Sequence, residues 1–475
     1  MTDSRSFSLK WLEAFPYPPT MGQQELIGLI SAFVLSPAHD EAFLLKGYAG
    51  TGKTSLISTL VNVLKSVRMR SVLLAPTGRA AKVISSYSGH RAQTIHRKLY
   101  SQSEASDGRI RFMLNQNKHK NTLFIVDEAS MIPDTHASDG SLFGSRRLLR
   151  DLMEYVYTGE NCKLLLIGDT AQLPPVGIDL SPALDPEYLK NNFSIDISTY
   201  ELREVVRQAS DSGILTNATN LREKIRMMDL SSPFFDKQGF NDVVQLSGTE
   251  LQEFLQDVYA SEEKGDIVVV CRSNKRANIF NREIRNRIIY HEDELTAGDY
   301  LMVVRNNYFW LPKGSETAFI ANGDMIEVLR IRNTKQLYGQ RFADITFRLV
   351  DYPEEKEVDA WIMLDTLMAE APALPYPQQE KFMETVMLDY ADIPSKALRL
   401  AKLRQNPWYN ALQVKFAYAL TCHKTQGGQW KHVFIDQGYL RDDMIDKEYM
   451  RWLYTALTRA TSKVYLVNFM DSLWK

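Results

Sequence analysis

The stretch "EAFLLKGYAGTGKTSLISTLVNVLKSV", residues 41–67, constrains this chain more than any other. Its first part is an apolar run of strand length, and its last part spaces apolar residues at helical intervals. The glycine-rich turn between them therefore joins a buried strand to a helix. That turn fits G-x-x-x-x-G-K-[ST]. Gly47, Gly50, Thr51 and Gly52 let backbone N–H groups curl around phosphate oxygens, Lys53 reaches the β and γ phosphates, and the Thr54 hydroxyl is placed as a magnesium ligand. The pattern predicts a nucleotide-binding α/β unit on a parallel sheet, with ATP and Mg2+ as cofactors.

The rest of the first half keeps the same rhythm. "SVLLAPTGRAAKVISSYS", "NTLFIVDEAS" and "CKLLLIGDT" each read as an apolar strand that ends in a polar or glycine-containing loop. In such sheets ligands gather at the carboxyl ends of the strands. Asp127 is placed there to hold magnesium, and Glu128 beside it to polarise an attacking water. "GDTAQLPPVG" ends another buried strand in an acid, then presents Gln172 and two prolines. A glutamine on a strand next to a P-loop can orient water or contact the γ-phosphate, and Pro174 and Pro175 would stiffen the loop that carries the signal away.

Composition bounds what this machinery acts on. With 475 residues the chain should divide into two to four compact units. A net charge of −2 restricts any nucleic-acid site to a local groove. The three cysteines lack metal-ligand or disulfide spacing, and no apolar run has signal-peptide or membrane-spanning character, so the expected setting is cytoplasmic, with no membrane partner. A second α/β rhythm begins near "DIVVVCRSNKRANIFNREIRNRI". It is interrupted between residues 294 and 410 by short β-rich pieces with Asn-Gly and Gly-Asp turn signals, as an inserted β-barrel would be.

Taken together and in order, these motifs resemble those of the superfamily 1 helicases, in their RecD-like and phage Dda-like branch, from Gln23 to Ala460. Gln23 in "PTMGQQE" is similar to the adenine-reading glutamine of the family; "APTGRAAK" and "TIHRKL" resemble motifs Ia and Ib, which touch single-stranded DNA; "DEAS" and "GDTAQLPPVG" resemble motifs II and III. Farther on, "LREVVRQ" with Arg207, "ALTCHKTQGGQ" and "YTALTRA" with Arg459 resemble motifs IV, V and VI. The resemblance implies two RecA-like P-loop motor domains, the first at residues 1–200 and the second at 201–293 and 411–475. It also implies an SH3-like barrel at 294–410 in the second domain and a small pin-like hairpin at about 100–121 in the first.

The roles follow from the same resemblance. Lys53, Glu128, Gln172, Arg207 and Arg459 would be catalytic, the two arginines neutralising charge on the γ-phosphate when the domains close. Gln426, Gly427 and Gln429 of motif V would join Gln23 and the P-loop in holding nucleotide. Many relatives carry glutamate where this chain has Gln429, so strict preference for ATP over dATP is not expected. Pro76, Thr77, Thr94, His96, Phe112, Thr421 and His423 would meet DNA. The histidines belong to locally basic segments that suit backbone tracking, and Phe112 would stack at a duplex junction. The expected activity is ATP-driven 5′ to 3′ movement on single-stranded DNA with duplex unwinding; the alternative is a nucleotide-switched single-strand-binding ATPase without processive unwinding.

Overall fold

The computed structural model describes residues 3–104, 110–134, 147–206, 211–312, 315 and 319–474. Strands Glu41–Gly47 (β1), Arg70–Ala75 (β2), Ala92–Thr94 (β3), Tyr100–Glu104 (β4), Ile110–Leu114 (β5), Lys120–Val126 (β6), Glu160–Gly168 (β7) and Asp196–Leu202 (β8) occupy the first part of the chain. Six of them form a sheet in the order β3-β2-β6-β7-β1-β8, parallel throughout. Its central strands are apolar on both faces because helices cover both. Leu164, Leu165, Leu166 and Ile167 are all at most 1% exposed, split between the cores on the two sides. Each such side chain contributes about 1.5–3 kcal/mol on burial, so a charge anywhere in this run would break the sheet. The remaining pair, β4 and β5, makes an antiparallel hairpin from Tyr100↔Leu114 to Glu104↔Ile110. Its Asp107-Gly108 turn and the Phe112 side chain lie outside the described residues.

Two strands of the second α/β unit, Val243–Leu246 (β9) and Ile267–Cys271 (β10), precede the barrel. The barrel itself is Tyr300–Val303 (β11), Met325–Leu337 (β12), Gln340–Leu349 (β13), Val358–Met363 (β14) and Leu412–Phe416 (β15), closed by the pairing of β11 with β15. Ala419–Thr421 (β16), Trp430–Asp436 (β17) and Ala460–Val467 (β18) then complete a parallel sheet ordered β16-β10-β17-β18-β9. Thus the fold is α/β, with two RecA-like sheets and a barrel inserted in the second.

The barrel's closing strand, Leu412–Phe416, falls after residue 410, the end expected from sequence. The intervening stretch is helical: Tyr376–Met387 and Lys396–Gln405 pack Phe382, Val386 and Leu403 against Phe342 of β13, making a small separate core. Strand β8 likewise carries the first sheet through Leu202, because it pairs with β1 over its whole length. Helix Gly213–Met227 packs its Ile214, Ala218 and Leu221 with Leu453 and Leu457 of helix Lys447–Leu457, and so belongs to the second motor's core. The cysteines at 162, 271 and 422 are buried free thiols. No helix among the described residues is long and apolar enough to cross a membrane.

Candidate active site

The P-loop follows β1 at the middle of the first sheet. Gly50 and Gly52 take left-handed φ of +74° and +81°, a conformation that costs a side chain and is open to glycine. Gly52 is also the N-cap of helix Lys53–Val63 and supplies no side chain, which leaves the first N–H groups of that helix open to an anion. The Lys53 ammonium donates to the Gly47 and Tyr48 carbonyls at 2.6 and 2.7 Å.

A cavity of about 510 Å³ opens in front of the loop, between the two motor domains. Lys53, Thr54, Asp127, Glu128, Asp169 and Gln172 line its first-domain side, and Gln429 and Arg459 its second. The Asp127 carboxylate accepts from the Glu128 N–H at 2.8 Å and from the Tyr87 hydroxyl at 3.0 Å. Burial pushes both carboxyls up; Lys53 opposes the shift at each, and at Glu128 the guanidinium of Arg459 is the main opposing charge. Glu128 has φ +54°, unusual for a side-chain-bearing residue and a place where strain accumulates at working sites. Arg459 Nη1 comes within 3.9 Å of Glu128 Oε1, and the arginine is fixed by its own donations to the Thr455 and Gly428 carbonyls. Gln172 is 7% exposed and lines the cavity with Glu128, and its Oε1 has no partner.

Other expected contacts are placed differently. Gln23 does not line the cavity. Its Oε1 caps helix Met21–Leu35 through the Thr20 N–H, and its Nε2 donates to the Thr51 carbonyl at 3.0 Å, so both ends of the amide are committed to protein. Gln426 donates to the Leu173 carbonyl, linking motif V to motif III instead of facing nucleotide. Gly427 has φ +72°, and a Cβ there would lie 2.8 Å from that of Ala80, so it is a close-packing point against motif Ia. Arg207 lies outside the described residues.

Of the residues expected to meet DNA, Pro76, Thr77, Thr94 and Thr421 sit at or just past the carboxyl ends of β2, β3 and β16. Thr77 and Thr94 also cap the helices that follow, accepting from the N–H groups of Ala80 and Arg97 and leaving each hydroxyl proton to donate. The histidines do not add the charge expected of them. Burial brings His96 down to about 4 and lowers His423 as well, so both rings are neutral at physiological pH. The two motors meet here too, with the Arg79 guanidinium 3.9 Å over the Trp430 ring.

Sequence reasoning passed over Tyr87, Asp169, Tyr454 and Thr455. The Tyr454 hydroxyl donates to Asp169 Oδ2 at 2.6 Å and accepts from the P-loop N–H of Ala49 at 2.9 Å; Thr455 Oγ1 accepts from the Leu173 N–H at 2.9 Å. The acid that ends β7 was a visible signal, but its partner is 285 residues away in sequence.

A P-loop on one parallel sheet facing an arginine from a second sheet, with a barrel inserted in the latter, defines a two-domain nucleotide motor. Family models agree: that for an AAA domain matches residues 29–231, and that for a UvrD-like helicase C-terminal domain matches 416–467. Phage T4 ATP-dependent DNA helicase dda is 25% identical, over 68% of this chain and 70% of its own. An uncharacterized Methanocaldococcus jannaschii protein, MJ1519, is 22% identical over 90% of this chain, which spans only 37% of that relative's length. A solved Pif1 helicase from Bacteroides, in complex with ADP-AlF3 and single-stranded DNA, covers 95% of this chain and 92% of its own at 14% identity and a TM-score of 0.46. By its family models and its phage relative the chain is similar to the superfamily 1 helicases of the RecD-like and Dda-like branch.

Proposed function

We propose that this chain is an ATP-dependent DNA helicase that moves 5′ to 3′ along single-stranded DNA and separates duplex ahead of it. The observation that carries the reading is the approach of Arg459, from the second motor, to Glu128 in the cavity of the first. Hydrolysis then depends on how the two sheets are docked, and each cycle of closure and opening becomes a step along the strand.

Within the cavity each residue has a task. Lys53 and the open N–H groups at the start of helix Lys53–Val63 bind the phosphates. Thr54 and Asp127 would hold a magnesium ion, which neutralises phosphate charge when bound. Glu128 takes the proton of the attacking water, Gln172 orients that water, and Arg459 stabilises charge on the γ-phosphate, with Arg207 assigned the same task by resemblance to the family. Single-stranded DNA would cross both motors over Pro76, Thr77, Thr94 and Thr421, its phosphates taking hydroxyl protons more than histidine charge.

Strand displacement on 5′-tailed and 3′-tailed duplexes tests this directly, with Lys53→Ala as the hydrolysis-dead control. Unwinding of the 5′-tailed substrate by the unaltered chain alone is expected. DNA-stimulated hydrolysis with no displacement of either substrate would instead identify a nucleotide-switched binding ATPase.

A further inference from the structure

We propose that Tyr454 is a positioning residue, whose hydroxyl holds Asp169 away from Lys53 and ties the P-loop to the second motor domain. The inference rests on the ATP-hydrolysing reading above. Tyr454 does not line the cavity and is 1% exposed, so it acts through its neighbours.

A phenolic oxygen offers one proton and two lone pairs. Here the proton goes to Asp169 Oδ2 at 2.6 Å, and a lone pair takes the Ala49 N–H at 2.9 Å. Burial, with Asp169 adjacent, holds the phenol well above its ordinary range, which keeps it a donor at any working pH. The other carboxylate oxygen of Asp169 accepts from the Ala171 N–H at 2.9 Å. This carboxylate is 1% exposed and lies on the cavity wall; burial pushes it up, and the charge of Lys53 is the first opposing influence that favours its ionised form. Stripped of the tyrosine's proton, an ionised Asp169 would turn to that ammonium, the cation needed at the phosphates.

Tyr454 is one of four contacts along a single face of helix Lys447–Leu457 and its end. Arg451 donates to the Asp179 carbonyl at 2.6 Å, Thr455 accepts from Leu173, and Arg459 approaches Glu128. Spacings of three, four and eight residues put them on the same side of the helix. The second motor thus grips the P-loop, the end of β7 and the loop after it from one rigid element. Undocking would release Asp169 and silence the site.

Tyr454→Phe keeps the ring and removes only the hydroxyl. Hydrolysis measured with saturating oligothymidylate should then lose roughly ten- to a hundredfold in kcat while KM for ATP stays within about threefold. Adding Asp169→Asn, which removes the charge that would capture Lys53, should recover at least about threefold of the lost kcat. Thr455→Val cuts the neighbouring tie, and the same second change should not rescue it. A Tyr454→Phe chain within about twofold of wild type in kcat overturns the proposal. So does a Tyr454→Phe, Asp169→Asn chain no faster than Tyr454→Phe alone, or equal rescue of Thr455→Val. Failure of the unaltered chain to hydrolyse ATP on oligothymidylate would instead overturn the proposed function.

Discussion

Gln172 shows how much a single side chain can do in a closed site. Its place beside Glu128 on the cavity wall and its unpartnered Oε1 leave it poised to accept from one more donor, as an ordered water or a phosphate-bound water would supply. Gln172→Ala should retain ATP binding, by a fluorescent-nucleotide titration, and lose roughly tenfold in hydrolysis together with its stimulation by single-stranded DNA. An unchanged stimulation ratio with normal unwinding would make Gln172 an ordinary loop residue. At this scale the sequence was legible wherever chemistry follows from local spacing: Lys53, Thr54, Asp127, Glu128 and Gln172 all line the cavity. Gln23 was not, because an amide near a P-loop can read a base or brace a loop, and only packing decides. The neutral His96 and His423 were not legible either, since burial sets their protonation.

Among the elements, the β4–β5 hairpin is the one whose function can be separated from the motors. It is antiparallel and two-stranded, and its base is anchored where Tyr100 enters the core and the Asn115 N–H donates to the Leu99 carbonyl at 2.7 Å. We propose this hairpin as the part that splits base pairs, each costing roughly 1–2 kcal/mol of stacking, with Phe112 proposed to recover part of it. Replacing Ser103 to Phe112 by a short glycine-serine linker should therefore strongly impair displacement of a 5′-tailed duplex yet leave DNA-stimulated hydrolysis nearly intact. Unwinding at the wild-type rate would make the segment dispensable, and equal collapse of both activities would make it structural. The barrel was legible from turn signals and short β-rich runs. Its true end was not, because the helical layer over Phe342 and Phe382 separates β14 from β15 by nearly fifty residues of sequence, from Val358–Met363 to Leu412–Phe416.

Across the whole molecule, the barrel meets the first motor through two acidic residues. Asp324 and Asp351 of the barrel face helix Gly78–Ser88: a Cβ at Gly78 would lie 2.7 Å from Asp324 Oδ1 and 2.6 Å from the Tyr352 hydroxyl, and Lys82 pairs with Asp351 at 3.6 Å. Burial, with Asp351 nearby, pushes the Asp324 carboxyl up to about 7. The folded chain therefore keeps this proton up to near neutrality, whereas the unfolded chain releases it near 4, so the contact is strongest at low pH and weakens as pH rises toward about 7. Asp324→Asn should flatten that dependence and raise the melting temperature at pH 8, by about 2–4 °C for each kcal/mol recovered. A variant that melts with the wild-type pH profile between pH 5 and 8.5 would show that Asp324 does not control the contact.

The sequence by itself determined the phosphate machine, the alternation that makes two parallel sheets, and the order of motifs along them, because each depends on residues within a few turns of one another. The tertiary structure decided what joins the halves. Tyr454 meets Asp169 and Ala49, Gln426 meets Leu173, and Arg459 meets Glu128 only after both sheets have formed and docked. It also biased charge, lowering two histidines and raising one barrel carboxyl to about 7 by removing water from around them. Local spacing places a side chain on a loop; the partner it finds and the proton it keeps are set by which distant surface closes over it.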